Sequence, residues 1–220
     1  IAIGSILLMK GFLAEHGIPT VATLSASGLK SNSSMGYPRI IKPRHGRGSS
    51  NVFVARNWEE TRFFADYLGD AVIQPRISGV EYTIDVLADY CHEPAIIAPR
   101  RRLATDSGIC CKGITDWNEE MVRWTSEIVR RLGLVGVANV QCFVTDGGDI
   151  LFTEVNARMA GTAILSQAAG VPLLEGMVAL AFGEELPRHI GPVEPRILLR
   201  YWHEVFLDER EAARFGWSRT

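Results

Sequence analysis

VANVQCFVTDGGDILFTEVNAR, residues 137–158, is the stretch on which the fold of this chain turns. Asp146-Gly147-Gly148-Asp149 is a strong turn signal, because glycines accept the backbone angles that a tight hairpin demands. Strands are expected on either side, over Val137 to Val144 and Ile150 to Val155. With the turn centred between Gly147 and Gly148, Gln141 faces Glu154 and Asn139 faces Asn156. Facing side chains lie about 5 Å apart at Cβ, the reach of two groups sharing one cation.

Strand periodicity places Ile150, Phe152, Glu154, Asn156 and Arg158 on one face. That face is expected to be apolar first and then polar, and Phe143, Gln141 and Asn139 repeat the pattern on the partner strand. A hard cation takes oxygen ligands, so Gln141, Glu154 and Asn156 suit Mg²⁺ whose shell is completed by phosphate oxygens. The same alternation also describes a solvated sheet face. The register match between both strands and the arginine at the end favour a site.

Working outward, Ile40-Ile41-Lys42 reads as a strand ending in a lysine, followed by a glycine-rich basic loop, Arg44 to Ser50. Glycines let backbone N–H groups approach phosphate, and a lysine adds a point charge. A strand-end lysine is otherwise simply exposed, and the loop lacks the Walker A pattern. Combined with the distant oxygen-ligand hairpin, it suggests a nucleotide held between two lobes. Helices are expected over Ser5 to His16, from Asn57, from Asp116 to Leu132, over Ala163 to Ala169, over Leu173 to Phe182 and over Glu209 to Phe215. Further strands are expected at Ile18 to Ala22, Val52 to Val54, Val72 to Gln74, Glu81 to Leu87, Ala95 to Ala98 and Ile197 to Trp202. The order is α+β, with no repeat.

Composition bounds the rest. Twenty-three Lys and Arg against 25 Asp and Glu leave a net charge of −2, which argues against a nucleic-acid partner. No apolar run reaches the ~18 residues of a membrane helix, so no membrane partner is expected. Four cysteines without metal spacing suggest a reduced, cytoplasmic protein. Cys110-Cys111 are expected to be ordinary thiols in a loop, and His45 a solvent-facing histidine. The chain opens on Ile1 rather than Met and is expected to be a fragment.

These residues resemble the ATP-grasp superfamily, most closely one ATP-grasp unit of the carbamoyl phosphate synthetase large chain and its stand-alone ligase relatives. The resemblance runs from about Leu8 to Leu186. It rests on Tyr37 to Pro43, Gly46 to Ser50, Val72 to Tyr82, Asn139 to Gln141, Glu154 to Arg158 and Ala168 to Gly170, in that order. It implies an ATP-grasp fold, two α+β lobes gripping ATP, with the amino-terminal domain missing. Residues 1–19 would be a linker helix from that domain, 20–75 the small lobe, 76–190 the large lobe with the metal site, and 191–220 a terminal strand and helix.

The resemblance also implies roles. Lys42 would bind the α- and β-phosphates, and the N–H groups of Gly48, Ser49 and Ser50 would cover the β- and γ-phosphates. Gln74 and the backbone of Arg76 and Ile77 would line the adenine site, with Glu81 on the ribose. Glu154 would bridge two Mg²⁺ ions (Mn²⁺ could substitute), with Gln141 on one and Asn156 on the other. Arg158 would act on the γ-phosphoryl group. The chain departs from the family where Ser5-Ile6 replace an Asp–basic pair that opens the first helix; Lys10, one turn later, reads as a poor substitute.

The implied reaction is attack of a carboxylate on ATP, giving an acyl phosphate that an amine displaces, with ADP and phosphate released. Lys42 and Arg158 would be the catalytic residues, and Arg100 and Arg102 candidate grips on the substrate carboxylate, or merely a solvated basic patch. The partners would be a small-molecule carboxylate and an amine, with a homodimer an open option. Alternatives are phosphorylation of carbamate or bicarbonate, and a non-catalytic ATP-binding module. Intact Glu154, Asn156 and Arg158 argue against the last.

Overall fold

The computed structural model describes residues 5–28, 34–45, 50–106 and 108–216. In chain order the elements are α1 (Ile6–Glu15), β1 (Leu24–Ser25), β2 (Arg39–Pro43), β3 (Phe53–Ala55), α2 (Trp58–Leu68), β4 (Ala71–Pro75), β5 (Gly79–Ala88), β6 (Pro94–Asp106), β7 (Ile109–Thr115), α3 (Glu119–Leu132), β8 (Gly136–Thr145), β9 (Ile150–Asn156), α4 (Ile164–Ala168), α5 (Leu173–Phe182), β10 (His189–Ile190), β11 (Ile197–Leu199) and α6 (Glu209–Ala213). None of these helices is long and apolar enough to cross a membrane.

They form two sheets. The smaller has the order β1-β4-β2-β3, all antiparallel. Its apolar side, Ile41, Ala55, Ala71 and Ile73, packs on Phe64 and Leu68 of α2. The Asn57 side chain caps α2 by accepting from Glu60 N at 2.8 Å, which satisfies a helix-end donor that would otherwise lack a partner.

The larger sheet runs β11-β7-β6-β5-β8-β9, with β10 parallel to β6. Even-numbered residues of β5 (Tyr82, Ile84, Val86) join one core with Met9 and Leu13 of α1 and Met121, Ile128 and Val129 of α3. α3 buries this stripe because its apolar positions recur at helical spacing. It starts at the Asn118 cap and stops at Gly133, a left-handed C-cap. The odd-numbered face of β5 is apolar only at Leu87, which packs with Ile96, Ala98, Val171 and Leu173. The rest of that face carries Glu81, Thr83 and Asp85.

Four expectations need correction. Ile18 to Ala22 is not a strand: only Thr20 forms a bridge, parallel to Phe152. The first helix is not a linker: Met9 and Leu13 are 2% and 0% exposed in the large core. β11 pairs with β7 and so belongs to the large sheet, rather than to a separate 191–220 unit. Cys110 and Cys111 lie in β7 and not in a loop.

The hairpin holds a further difference. Thr145 and Asp149 close a three-residue loop, with Thr145 N donating to Asp149 O at 2.9 Å and Gly148 at φ 91°. Val144 then faces Ile150, and Cys142 faces Phe152; beyond that the register shifts. Thr153 is left without a partner, a β-bulge, and Gln141 faces Glu154 while Asn139 faces Asn156. These last two pairs are the ones expected, but the faces are not. An extra residue reverses the alternation, so Ile150 and Phe152 enter the core with Val155. Glu154 and Asn156 point to the opposite face, where Leu151, and not Phe152, is their apolar neighbour.

Candidate active site

The bulge brings four strands' polar residues onto one face. Across β5 and β8, Glu81 faces Phe143, Thr83 faces Gln141 and Asp85 faces Asn139. Across β8 and β9 the row continues to Glu154 and Asn156, and across β6 it reaches Arg100, opposite Thr83. Strand alternation thus places Glu81, Gln141, Glu154 and Asn156 together.

The smaller sheet contributes Lys42, opposite Val72 on β4. Burial lowers the Lys42 pKa, and the nearby carboxylates of Glu154 and then Glu81 partly offset it. Burial also raises the Glu81 pKa, outweighing its ion pair with Arg102. Lys42, Glu81 and Glu154 are therefore within electrostatic reach of one another, across the two sheets.

Lys10, set aside in the sequence, joins them. It is 3% exposed, and its Nζ donates to Thr20 Oγ1 at 2.8 Å and to the carbonyl of Phe152, next to the bulge. Burial holds its pKa well below the usual lysine value, the charge of Lys42 lowers it further, and Glu154 opposes both. The available signal was a lysine beside Met9 and one turn before Leu13, on the stripe that faces the core.

At the end of this face where β5 begins lies a cleft of about 320 Å³, lined by Gly79, Val80, Glu81, Arg102, Leu103 and Phe143. Arg102 Nη1 donates to Glu81 Oε1 at 2.6 Å and Nη2 to Gly108 O at 2.8 Å. Its buried Nε has no partner among the described residues. The Gln74 side chain donates to Thr23 Oγ1 at 2.8 Å, in the small sheet. The Arg76 N–H is held by Pro38 O at 3.0 Å, so that donor is already engaged and does not meet a base edge. Ile77 is half-buried and Ser50 exposed, whereas Gly48 and Ser49 lie outside the described residues.

Arg100 requires a correction. It is 1% exposed and gives two hydrogen bonds to Asp85, at 2.6 and 2.8 Å, and one to Thr162 Oγ1 at 2.7 Å. A guanidinium sealed and paired in this way cannot grip a substrate carboxylate. Arg158 is exposed, and its carbonyl accepts from Asn139 Nδ2 at 2.8 Å. Burial pushes the thiol of Cys110 up, and that of Cys142 to about 12, so neither is a ready thiolate.

The donor set fits Mg²⁺ accompanied by a nucleotide. Among the described residues no three His, Cys, Asp or Glu cluster as a metal site. One carboxylate with amide oxygens leaves much of an octahedral shell to phosphates and water, which is how Mg²⁺ is usually held. Asn156 turns Nδ2 towards Glu154 Oε2, 3.3 Å away; a half-turn of the amide brings its oxygen there instead.

The comparisons show the family and the fold. The model of the ATP-grasp domain matches residues 7–162, and the chain belongs to that family. It is 27% identical over 173 residues to the carbamoyl phosphate synthase arginine-specific large chain of Halalkalibacterium halodurans, covering 72% of this chain and 16% of that one. It is 28% identical over 196 residues to the carbamoyl phosphate synthase large chain of Thermomicrobium roseum, covering 80% and 18%. The chain thus spans under a fifth of the length of both. Among solved structures, N5-carboxyaminoimidazole synthetase from Staphylococcus aureus superposes with a TM-score of 0.76 at 17% identity, over 89% of this chain and 55% of that one. The biotin carboxylase domain of Hydrogenobacter thermophilus 2-oxoglutarate carboxylase, in complex with MgADP, ADP and bicarbonate, superposes at 0.68 with 19% identity, over 84% and 47%. These likenesses show the ATP-grasp fold.

Proposed function

We propose that this chain is the ATP-cleaving unit of a ligase that activates a carboxylate as an acyl phosphate for attack by an amine, releasing ADP and phosphate. The observation that carries the reading is the Gln141–Glu154 pair on one sheet face, with Lys42 brought within electrostatic reach from the other sheet. Phosphoryl transfer asks little covalent chemistry of a protein; it asks for position and for neutralised charge. Lys42 neutralises phosphate charge from the small sheet. Lys10 adds a cation beside Glu154. Gln141, Glu154 and Asn156 hold Mg²⁺, two ions with Mn²⁺ able to substitute, which supplies a Lewis-acid clamp on the phosphate oxygens when bound. Arg158 extends from a backbone carbonyl fixed by Asn139 and meets the charge that grows on the transferred group. The cleft beside Glu81 and Phe143 takes the nucleoside. A carboxylate nucleophile needs no base to deprotonate it, and this reading assigns none.

The test is Glu154→Gln, with a circular dichroism spectrum to show that the chain still folds. ATP affinity, measured by titration with and without Mg²⁺, should lose its Mg²⁺ dependence, and ADP release should fall by about 100-fold or more. Unchanged Mg²⁺ dependence would remove the metal site. A second reading, phosphorylation of carbamate or bicarbonate, is favoured by the curated relatives, which are carbamoyl phosphate synthase large chains. Bicarbonate-stimulated ADP release with no other acid present would select it.

A further inference from the structure

Asp85 and Arg100 are each 1% exposed and form a two-pronged ion pair on the face that carries Gln141 and Glu154. The pair does not end at the sheet. Arg100 Nη1 donates to Thr162 Oγ1 at 2.7 Å, and Ser166 Oγ donates to Asp85 Oδ2 at 2.5 Å. Thr162 and Ser166 are 5% and 0% exposed, and both lie in the segment that follows Arg158 and enters α4. A further tie lies beside them: Asn139, opposite Asp85, holds the Arg158 carbonyl at 2.8 Å. Apolar anchoring of this segment is slight. Ala163 and Leu165 are buried, but Met159 and Ile164 are 39% and 54% exposed.

Two apolar side chains would join β5 to β6 as well as this ion pair does, since buried pairs are weak sources of stability. They would not fix the direction of two hydroxyls from another segment. Charge-assisted hydrogen bonds with no solvent alternative do. We propose that the buried Asp85–Arg100 pair is a positioning device: it fastens Thr162 and Ser166, and thereby sets where Arg158 stands over the reacting face. The proposal rests on the phosphoryl-transfer reading above for the role of Arg158, but the fastening itself is measurable without activity.

The experiment uses Thr162→Val and Ser166→Ala, singly and together, with Thr162→Ser as the control that keeps the hydroxyl. Hydrogen exchange of the amides at 158–163 should rise about tenfold or more in the double variant, while β5 and β6 keep their protection. Affinity for Mg–ATP should stay within about twofold, and the kcat of ADP release should fall by about 10- to 100-fold, the cost of misplacing a reacting group. Thr162→Ser should match the unaltered protein. Unchanged exchange at 158–163 in the double variant overturns the proposal. So does a loss of protection spread over the whole large sheet with ATP affinity falling in step, which marks a merely structural pair. If the unaltered protein binds Mg–ATP but releases no ADP, the reaction proposed above fails, and the exchange result alone decides the fastening.

Discussion

Arg100→Met isolates the energetics of the buried pair. The substitution removes the partner that gives Asp85 its two charge-assisted hydrogen bonds and leaves the carboxylate 1% exposed with Ser166 as its remaining donor. Breaking a buried pair from one side costs about 3–5 kcal/mol, a large fraction of the about 5–15 kcal/mol that holds a domain folded. At about 2–4 °C per kcal/mol for a chain of this size, the melting temperature should fall by about 6–20 °C. Asp85→Leu/Arg100→Met should recover most of this, because no uncompensated charge remains. The residual deficit is the two hydroxyls, Thr162 and Ser166, at about 1 kcal/mol each. Urea unfolding at pH 7 of the unaltered protein, the single variant and the double variant gives the three free energies. A single-variant cost below about 1 kcal/mol, or a double variant no better than the single, would mean that no uncompensated buried charge is left on Asp85 when Arg100 is removed.

The same pair shows what was and was not legible in the sequence. An acid inside Ile84-Asp85-Val86-Leu87 and an arginine closing Ala95 to Arg100 are opposite charges in the buried stretches of two strands, and buried charges are usually paired. Arg100 and Arg102 do share a face, as strand alternation requires, with Arg101 on the other, opposite Tyr82; what composition alone did not mark is that Arg100 is sealed against Asp85. The hairpin was legible because Gly147-Gly148 fixes a turn and the polar pairs recur on both strands. Its bulge was not, since Thr153 is a good strand residue and nothing local marks it as extra. Two differences cancel there: next to the turn the register is offset by one residue, with Val144 facing Ile150 and not Leu151, and the bulge restores the expected pairing beyond Phe152. The faces did not cancel, because alternation counts residues along one strand whereas register counts them across two. β7 was missed because Cys110-Cys111 suggested a loop and because burial along it does not alternate: Cys110, Gly113 and Thr115 are buried while Ile109 and Lys112 are exposed, so no two-residue period marks the strand.

Gly79 is held at φ 152°, and a Cβ there would stand 2.2 Å from Val144 O. Gly79→Ala should therefore cost about 1–3 kcal/mol in urea unfolding, and a cost near zero would show that the junction of the two sheets yields easily. Lys10→Met tests the buried cation by its pH dependence. The folded-state pKa of Lys10 lies below the unfolded value of 10.5, chiefly through burial. Between those two values the unfolded chain binds more protons, so stability rises with pH through that window, and below it the penalty for burying the charge is constant. Methionine is similar in volume and carries no proton. The Phe152 carbonyl keeps Thr20 Oγ1 at 2.9 Å and Val21 N at 3.4 Å, so no buried acceptor is orphaned. The variant should therefore match or exceed the unaltered protein in stability at pH 7, and its alkaline gain should be smaller, by about 1.4 kcal/mol per unit of pKa depression removed. Lys42 is shifted in the same direction, so part of the gain persists and vanishes only in Lys10→Met/Lys42→Met. Urea unfolding at successive pH values up to 10.5 measures both. Equal slopes in the unaltered protein and Lys10→Met would mean that Lys10 is not the strained cation that the geometry makes it.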